Sequence, residues 1–248
     1  MIRHRICLLF NNLFEFDFEE LVQRFLPMDQ FEVDIVDIFP KEPSKYQFII
    51  PWNYRKVIQK ASQAGNVIVM HSSELPEGRG WAPIYHAFSE QKSHYVMTCV
   101  FADDDVDTGD IIMQARFVIE PDYTAPFTRM LDNELSLLLI VKLCEQWPGS
   151  NPVGAKQTGT GSYRSRRYPA DNEVDISQSL ASLIPHLRAV ESSAPAFFIY
   201  NNVKYLIEVR PVIKPSRPSE VFIEYPALDR VDVWRDWAVY MDKCEYSI

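Results

Sequence analysis

The chain has 248 residues, 47% hydrophobic and 24% charged, as expected of an ordinary soluble globular protein built as one large domain, or one domain with a small appendage. A formal net charge of −9 disfavours nucleic acid as a partner, because phosphates reward basic surfaces. No apolar run approaches the roughly 20 residues of a membrane span, so no membrane insertion is expected.

Arg5 to Phe10 reads as a buried first strand; Asn11, Asn12 and Glu15 interrupt the apolar run and argue against a signal peptide. Apolar residues at helical spacing (Phe18, Leu21, Val22, Phe25) predict a helix over 16–26. Strands follow at 31–38 and 47–51, then a helix at 54–61 and a strand at 66–70. A helix over 81–90 holds Pro83 in its first turn, where the missing N–H costs little. Two more strands are predicted at 95–101 and 111–119. The longest helical pattern, 124–147, stops at Pro148-Gly149. Residues 149–168 are rich in Gly, Ser, Pro and Thr and read as a linker or binding loop. A helix at 176–190 precedes a hairpin, 196–200 and 203–210, turning at Asn201-Asn202, and a further strand at 220–225. Trp234, Trp237 and Tyr240 make the tail too apolar to be free, so it is expected to pack on the body or in an oligomer interface; a homodimer is left open. The alternation implies an α/β fold with an open, mostly parallel, Rossmann-like sheet, residues 1–148, followed by a small α+β domain with linker and tail, 149–248. The four cysteines (Cys7, Cys99, Cys144, Cys244) have no paired spacing, which argues against a zinc site or disulfide framework and for a reducing cytoplasm.

Two loops carry the chemistry. His71 ends the strand Val67-Ile68-Val69-Met70 and opens a turn-rich loop containing Pro76, Gly78 and Gly80. The acidic loop Asp103 to Asp110 follows one helix and one strand later. An imidazole and a carboxylate at neighbouring loop mouths are the parts of a general base and its orienting partner. Asp103, Asp104 and Asp105 are consecutive, and consecutive carboxylates rarely converge, so no metal is expected. Arg164, Arg166 and Arg167 lie between Tyr163 and Tyr168; they are either a solvated loop or a clamp for a phosphate-bearing ligand.

The pattern His-x-Ser-x-Leu-Pro-x-x-Arg-Gly-x-x-Pro (His71, Ser73, Leu75, Pro76, Arg79, Gly80, Pro83) resembles the folate-dependent formyltransferases. The stretch Asp103 to Asp110 is similar to that family's Asp-x-Gly-x-Asp-Thr-Gly-Asp signature, with Asp105 in place of the glycine, and Asp122-Tyr123-Thr124-Ala125 is similar to its following helix start. The likeness covers about residues 1–147, with an N-terminal half that looks shortened by one strand–helix unit. Arg79-Gly80-Trp81-Ala82-Pro83 and the 157–176 stretch are most similar to a subgroup acting on nucleotide-linked amino sugars for surface glycans.

The resemblance implies formyl transfer from 10-formyltetrahydrofolate, as cosubstrate, to the primary amine of such a sugar. It implies His71 as base or oxyanion donor, Asp107 as its partner, and a pterin pocket around Trp52, Tyr54, Arg55, Phe101, Asp103, Asp104 and Asp105. Ser72, Arg79, Gly80, Arg166 and Arg167 are the expected substrate contacts. One departure stands out: the family's third catalytic residue, an asparagine two positions before the histidine, is Val69 here. Asn53, a backbone N–H, or a bound water would then supply the missing donor, or the chain binds folate without transferring. The other acceptor readings are methionyl-tRNA and a hydroxyornithine-type amine.

Overall fold

The structure, a computed structural model, describes residues 3–11, 22, 26, 29–52, 54, 56, 58, 61–235 and 237. Of the helix expected at 16–26 only Val22 and Leu26 are described; of that expected at 54–61, Tyr54, Lys56 and Ile58 are described and are not helical, and a single helical turn, α1 (Ala61–Ala64), begins at its last residue.

Three strands pair in parallel in the order β2 (Phe31–Val36), β1 (His4–Leu9), β3 (Phe48–Pro51). A bridge from Ile49 to Val67, also parallel, carries the layer on to β4 (Ile68–His71). Their fully buried apolar runs (Ile6, Cys7, Leu8 and Leu9; Phe48, Ile49 and Ile50) are what a strand covered on both faces demands. Beyond β4 the neighbours turn antiparallel. β6 (His94–Phe101) pairs with β4 in the register His71 to Thr98, and β7 (Ile111–Val118) pairs with β6 in the register Thr98 to Gln114. Between β4 and β6 come a two-residue strand, β5 (Arg79–Gly80), and the helix α2 (Pro83–Ser89).

The long helix α3 (Ala125–Gln146) buries Leu131, Leu135, Leu139 and Leu143, which recur every four residues. Each such leucine contributes on the order of 2 kcal/mol of burial. Pro126 sits in the first turn, where its missing donor is not needed. After α3 come β8 (Tyr163–Arg164), α4 (Leu180–Ala189) and the hairpin β9 (Ala196–Tyr200) and β10 (Val203–Ile207). Asn201 and Asn202 both take positive φ, 50° and 63°, the conformation of a tight two-residue hairpin turn.

The C-terminal strands β11 (Val221–Tyr225) and β12 (Arg230–Trp234) extend the same sheet, in the order β12-β11-β7-β6-β4. Sequence reading foresaw β11 but not β12, nor its docking on β7, because nothing local in 221–234 says which distant strand it will meet. The described part of the tail packs on the body: Trp237 is fully buried and meets Phe117 edge-on, with ring centroids 5.6 Å apart, while Trp234 stacks beside it; Tyr240 lies outside the described residues.

Candidate active site

β4 ends at His71, whose imidazole is 7% exposed as a residue and is held from two sides. Nδ1 lies 3.4 Å from Oδ2 of Asp107, and Nε2 lies 2.8 Å from the carbonyl oxygen of Gly78. Both ring nitrogens therefore face oxygen acceptors, and only a ring carrying both protons donates to the two at once. Such an imidazole can place a positive N–H beside developing negative charge, and Nε2 reaches a reactant by giving up the Gly78 carbonyl.

Asp107 arrives by an indirect route. β6 runs antiparallel to β4, so the acidic loop begins beside the start of β4, where Ala102 N–H donates to Val67 O at 2.9 Å. The loop then folds back to bring Asp107 to the other end of that strand. Asp107 itself takes a left-handed backbone, φ 56°. Its Oδ2 also accepts the backbone N–H of Gly80 at 2.9 Å. Gly80 is required twice over. Its φ is 92°, and a Cβ there would sit 2.5 Å from Arg164 O and 2.8 Å from the Tyr163 ring.

Sequence reading missed Gln157, Thr98, Gln114 and Asp132. Gln157 comes from the supposed linker. Its Nε2 donates to the carbonyls of Asp107 (2.8 Å) and Gly109 (2.9 Å), while its Oε1 accepts from Arg79 (2.6 Å). Arg79 Nη2 thus braces Gln157, and through it the carbonyl of Asp107. Thr98 Oγ1 donates to Ser73 O at 2.6 Å, just past His71, and accepts from Gln114 Nε2 at 2.9 Å. A threonine and a glutamine at buried positions of otherwise apolar strands were the available signal.

Asp132, on α3 and 4% exposed, accepts from Ser72 Oγ at 2.6 Å and from the fully buried Tyr95 hydroxyl. Burial first, then the charge of Asp132, push the Tyr95 phenol well above its usual range. Ser72, the expected substrate contact, pins the turn after His71 to α3. Replacing Asp132 with asparagine is expected to cost about 2 kcal/mol in urea unfolding, since it removes a charged acceptor from the buried Tyr95 hydroxyl and the half-buried Ser72 hydroxyl.

The remaining expectations divide as follows. Asn53 and Arg55 lie outside the described residues. Trp52 is 7% exposed and stacks near Phe10, and Tyr54 is half-buried. Phe101 is half-buried at the mouth of the acidic loop, while Asp103, Asp104 and Asp105 are exposed. Asp104 accepts from Ser62 Oγ at 2.9 Å. Val69 shares the sheet face of His71 and packs with Leu75, Val100 and Ile111, so that face is apolar where the resemblance places an amide.

Arg166 is exposed, with its guanidinium 5.0 Å from the Trp81 ring centroid and 5.4 Å from that of Tyr168. Arg167 is taken up within the fold: it lies 3.4 Å from the Tyr85 ring centroid and donates to Asp171 O and Asn172 Oδ1. Arg164 pairs with Glu90 and lines, with Ser73, Glu77, His86 and Lys92, a cleft that does not include His71. Burial, then the charge of Arg164, lower the His86 imidazole.

Residues 27–138 match the family model described as Formyl transferase. This chain carries a formyltransferase-family domain. A methionyl-tRNA formyltransferase of Koribacter versatilis is 27% identical over 162 residues, 64% of this chain and 52% of that protein. The chain spans about half the length of the curated relatives it matches. A sugar N-formyltransferase from a Shewanella species shares the fold with a TM-score of 0.64 at 15% identity, over 85% of this chain and 99% of that one. HypX from Aquifex aeolicus, solved with tetrahydrofolic acid, shares it with a TM-score of 0.63 at 18% identity, over 93% of this chain and 43% of that one. At such identities the solved structures show a common fold. The formyltransferase domain runs from within the parallel strands into α3, and so contains both His71 and Asp107.

Proposed function

We propose that this chain transfers a formyl group from 10-formyltetrahydrofolate to the primary amine of a nucleotide-linked amino sugar. The observation that carries the reading is the buried His71–Asp107 pair, assembled from the domain's two loops with His71 Nδ1 turned to the carboxylate. The tetrahydrofolate bound to HypX supports the choice of donor.

The amine nitrogen attacks the formyl carbon, the carbonyl oxygen becomes an oxyanion, and the C–N bond to the folate breaks. With Val69 offering no donor, the His71 N–H freed from Gly78 carries the oxyanion, and Asp107 holds the ring and its charge. The folate nitrogen takes a proton as it leaves, and the amine gives one up. The pterin takes its hydrogen bonds largely from main chain after β3 and along the acidic loop.

Two observations favour a small anionic acceptor over tRNA. The protein carries a net charge of −9, and Arg166 stands exposed between two aromatic rings, suited to a phosphate beside a base. Among the described residues no helix is long and apolar enough to cross a membrane. Buried free thiols at Cys7, Cys99 and Cys144 fit the reducing cytoplasm where such sugars are made. The Arg166→Ala protein is expected to raise the KM for the nucleotide sugar about tenfold and to leave kcat and the folate KM unchanged. Equal loss with a nucleotide-free amine acceptor would refute that assignment.

The apolar surroundings of Val69 support a second reading, a folate-binding homologue without transfer. Folate binding by calorimetry with no tetrahydrofolate release on any amine would establish it, and release with methionyl-tRNA alone would replace the sugar reading.

A further inference from the structure

We infer that Gln157 is a positioning residue of the reaction, holding Asp107 against His71 from a segment after α3 that reads in sequence as a linker. Its kinetic consequence rests on the formyl-transfer reading; its geometry does not.

Asp107 needs such support. Its Oδ2 serves two partners, the Gly80 N–H at 2.9 Å and His71 Nδ1 at 3.4 Å. The second distance is near the outer limit of a hydrogen bond, so a retreat of about 0.5 Å ends it. Asp107 also sits at φ 56°, a conformation that a non-glycine residue keeps only where its surroundings impose it. The Gln157 amide donates to the carbonyls of Asp107 and Gly109, 2.8 and 2.9 Å away, and so clamps the turn that joins them. Gly109 lies against the Phe101 carbonyl with no room for a Cβ. The turn is thus held between β6 and the Gln157 amide.

The contacts close a ring. Arg79 stands between the two glycines of the site: the Gly78 carbonyl faces His71 Nε2, and the Gly80 N–H donates to Asp107. Arg79 Nη2 donates to Gln157 Oε1 at 2.6 Å, and Gln157 returns to the Asp107 carbonyl. Asp107 is therefore tied to the stretch 78–80 twice, by its carboxylate and by its backbone. Only one orientation of the amide makes all three contacts, because a guanidinium has no acceptor and a carbonyl no donor. The segment that carries Gln157 is fastened on both sides of it. Ala155 exchanges both backbone hydrogen bonds with Ile111, at 2.7 and 2.8 Å. The Ser162 carbonyl accepts from the Arg79 N–H at 2.9 Å, and its Oγ accepts from the Gly78 N–H at 2.8 Å. A Cβ at Gly161 would meet the Arg79 guanidinium at 3.1 Å, so the segment lies directly on that side chain. Gln157 thus acts through Asp107, on the step that uses the His71–Asp107 pair.

The test uses the full chain carrying Gln157→Met, a side chain of similar length with no donor, and follows tetrahydrofolate release with a nucleotide-linked amino sugar. The kcat should fall about tenfold to a hundredfold, as for a small misplacement of the pair, with both KM values within about threefold. Gln157→Glu keeps an acceptor for Arg79 and loses both donations, and should be as slow. Added to Asp107→Asn, Gln157→Met should cost less than about a further twofold, because the two act through one contact. The proton NMR resonance of the His71 N–H that faces Asp107, assigned by its absence in His71→Ala, should move upfield in both Gln157 variants with no substrate present. That signal needs no turnover. A chain that formylates no amine would refute the transfer reading, and the resonance alone would still decide whether Gln157 holds Asp107 in place. Full kcat in either Gln157 variant, a loss that multiplies with that of Asp107→Asn, or an unmoved resonance would overturn the proposal.

Discussion

Replacing His71 with alanine is expected to lower formyl transfer by about 10²–10³-fold, almost all of it in kcat. The Gln114 amide on that sheet face already donates to Thr98 Oγ1 and Leu75 O, and Val69 provides no donor to take over. The substitution removes a ring whose carbonyl and carboxylate neighbours are already fixed, so the substrates still bind and the KM for folate stays within about threefold. Asp107→Asn should cost about 10²-fold, because its amide still accepts from the Gly80 N–H but no longer holds a charged imidazole. Stopped-flow measurement of tetrahydrofolate release separates the two variants. A His71→Ala protein with full kcat would refute the assigned chemistry.

The second large effect is structural. Gly109→Ala is expected to destabilise the protein by about 3 kcal/mol, a fall in Tm of about 6–12 °C. A Cβ at Gly109 would lie 1.9 Å from Phe101 O, and that carbonyl belongs to β6, which the sheet holds on both sides. Relief requires the acidic loop to move, and Asp107 with it. The variant should therefore lose activity at temperatures where it is still folded, as read by near-UV circular dichroism alongside the transfer assay. An unchanged Tm would mean that the loop crosses β6 elsewhere.

The two halves of the site differ in how openly the chain displays them. His71 and Asp107 were legible because each ends a run whose local signals, an apolar strand and an acidic turn, are strong. Their meeting was legible only through the spaced motifs of the resemblance. The return path of the acidic loop was not, because nothing in Tyr95 to Phe101 says that this strand runs antiparallel to its neighbour. Arg79 and Ser72 were read as substrate contacts because loop residues beside a reactive histidine usually are. The fold also ties them to Gln157 and Asp132, which lie far along the chain. Such long-range polar partners leave one faint trace in a sequence, a polar residue where the burial pattern calls for an apolar one. Thr98, Gln114 and Asp132 all carry that trace.

The parallel sheet of 1–71 followed from its β-branched runs, whereas β12 and the docking of β11 on β7 depend on contacts between residues more than a hundred positions apart. The hairpin at Asn201-Asn202 was the most local feature and came out at the expected turn.

The most direct measurement incubates the wild-type chain with 10-formyltetrahydrofolate and a panel of nucleotide-linked amino sugars, following tetrahydrofolate release and N-formyl product by mass spectrometry. Stoichiometric tetrahydrofolate and N-formyl sugar are expected with at least one acceptor, formed about 10²–10³-fold more slowly by the His71→Ala protein. Tight folate binding with no formylated product from any amine would contradict this expectation.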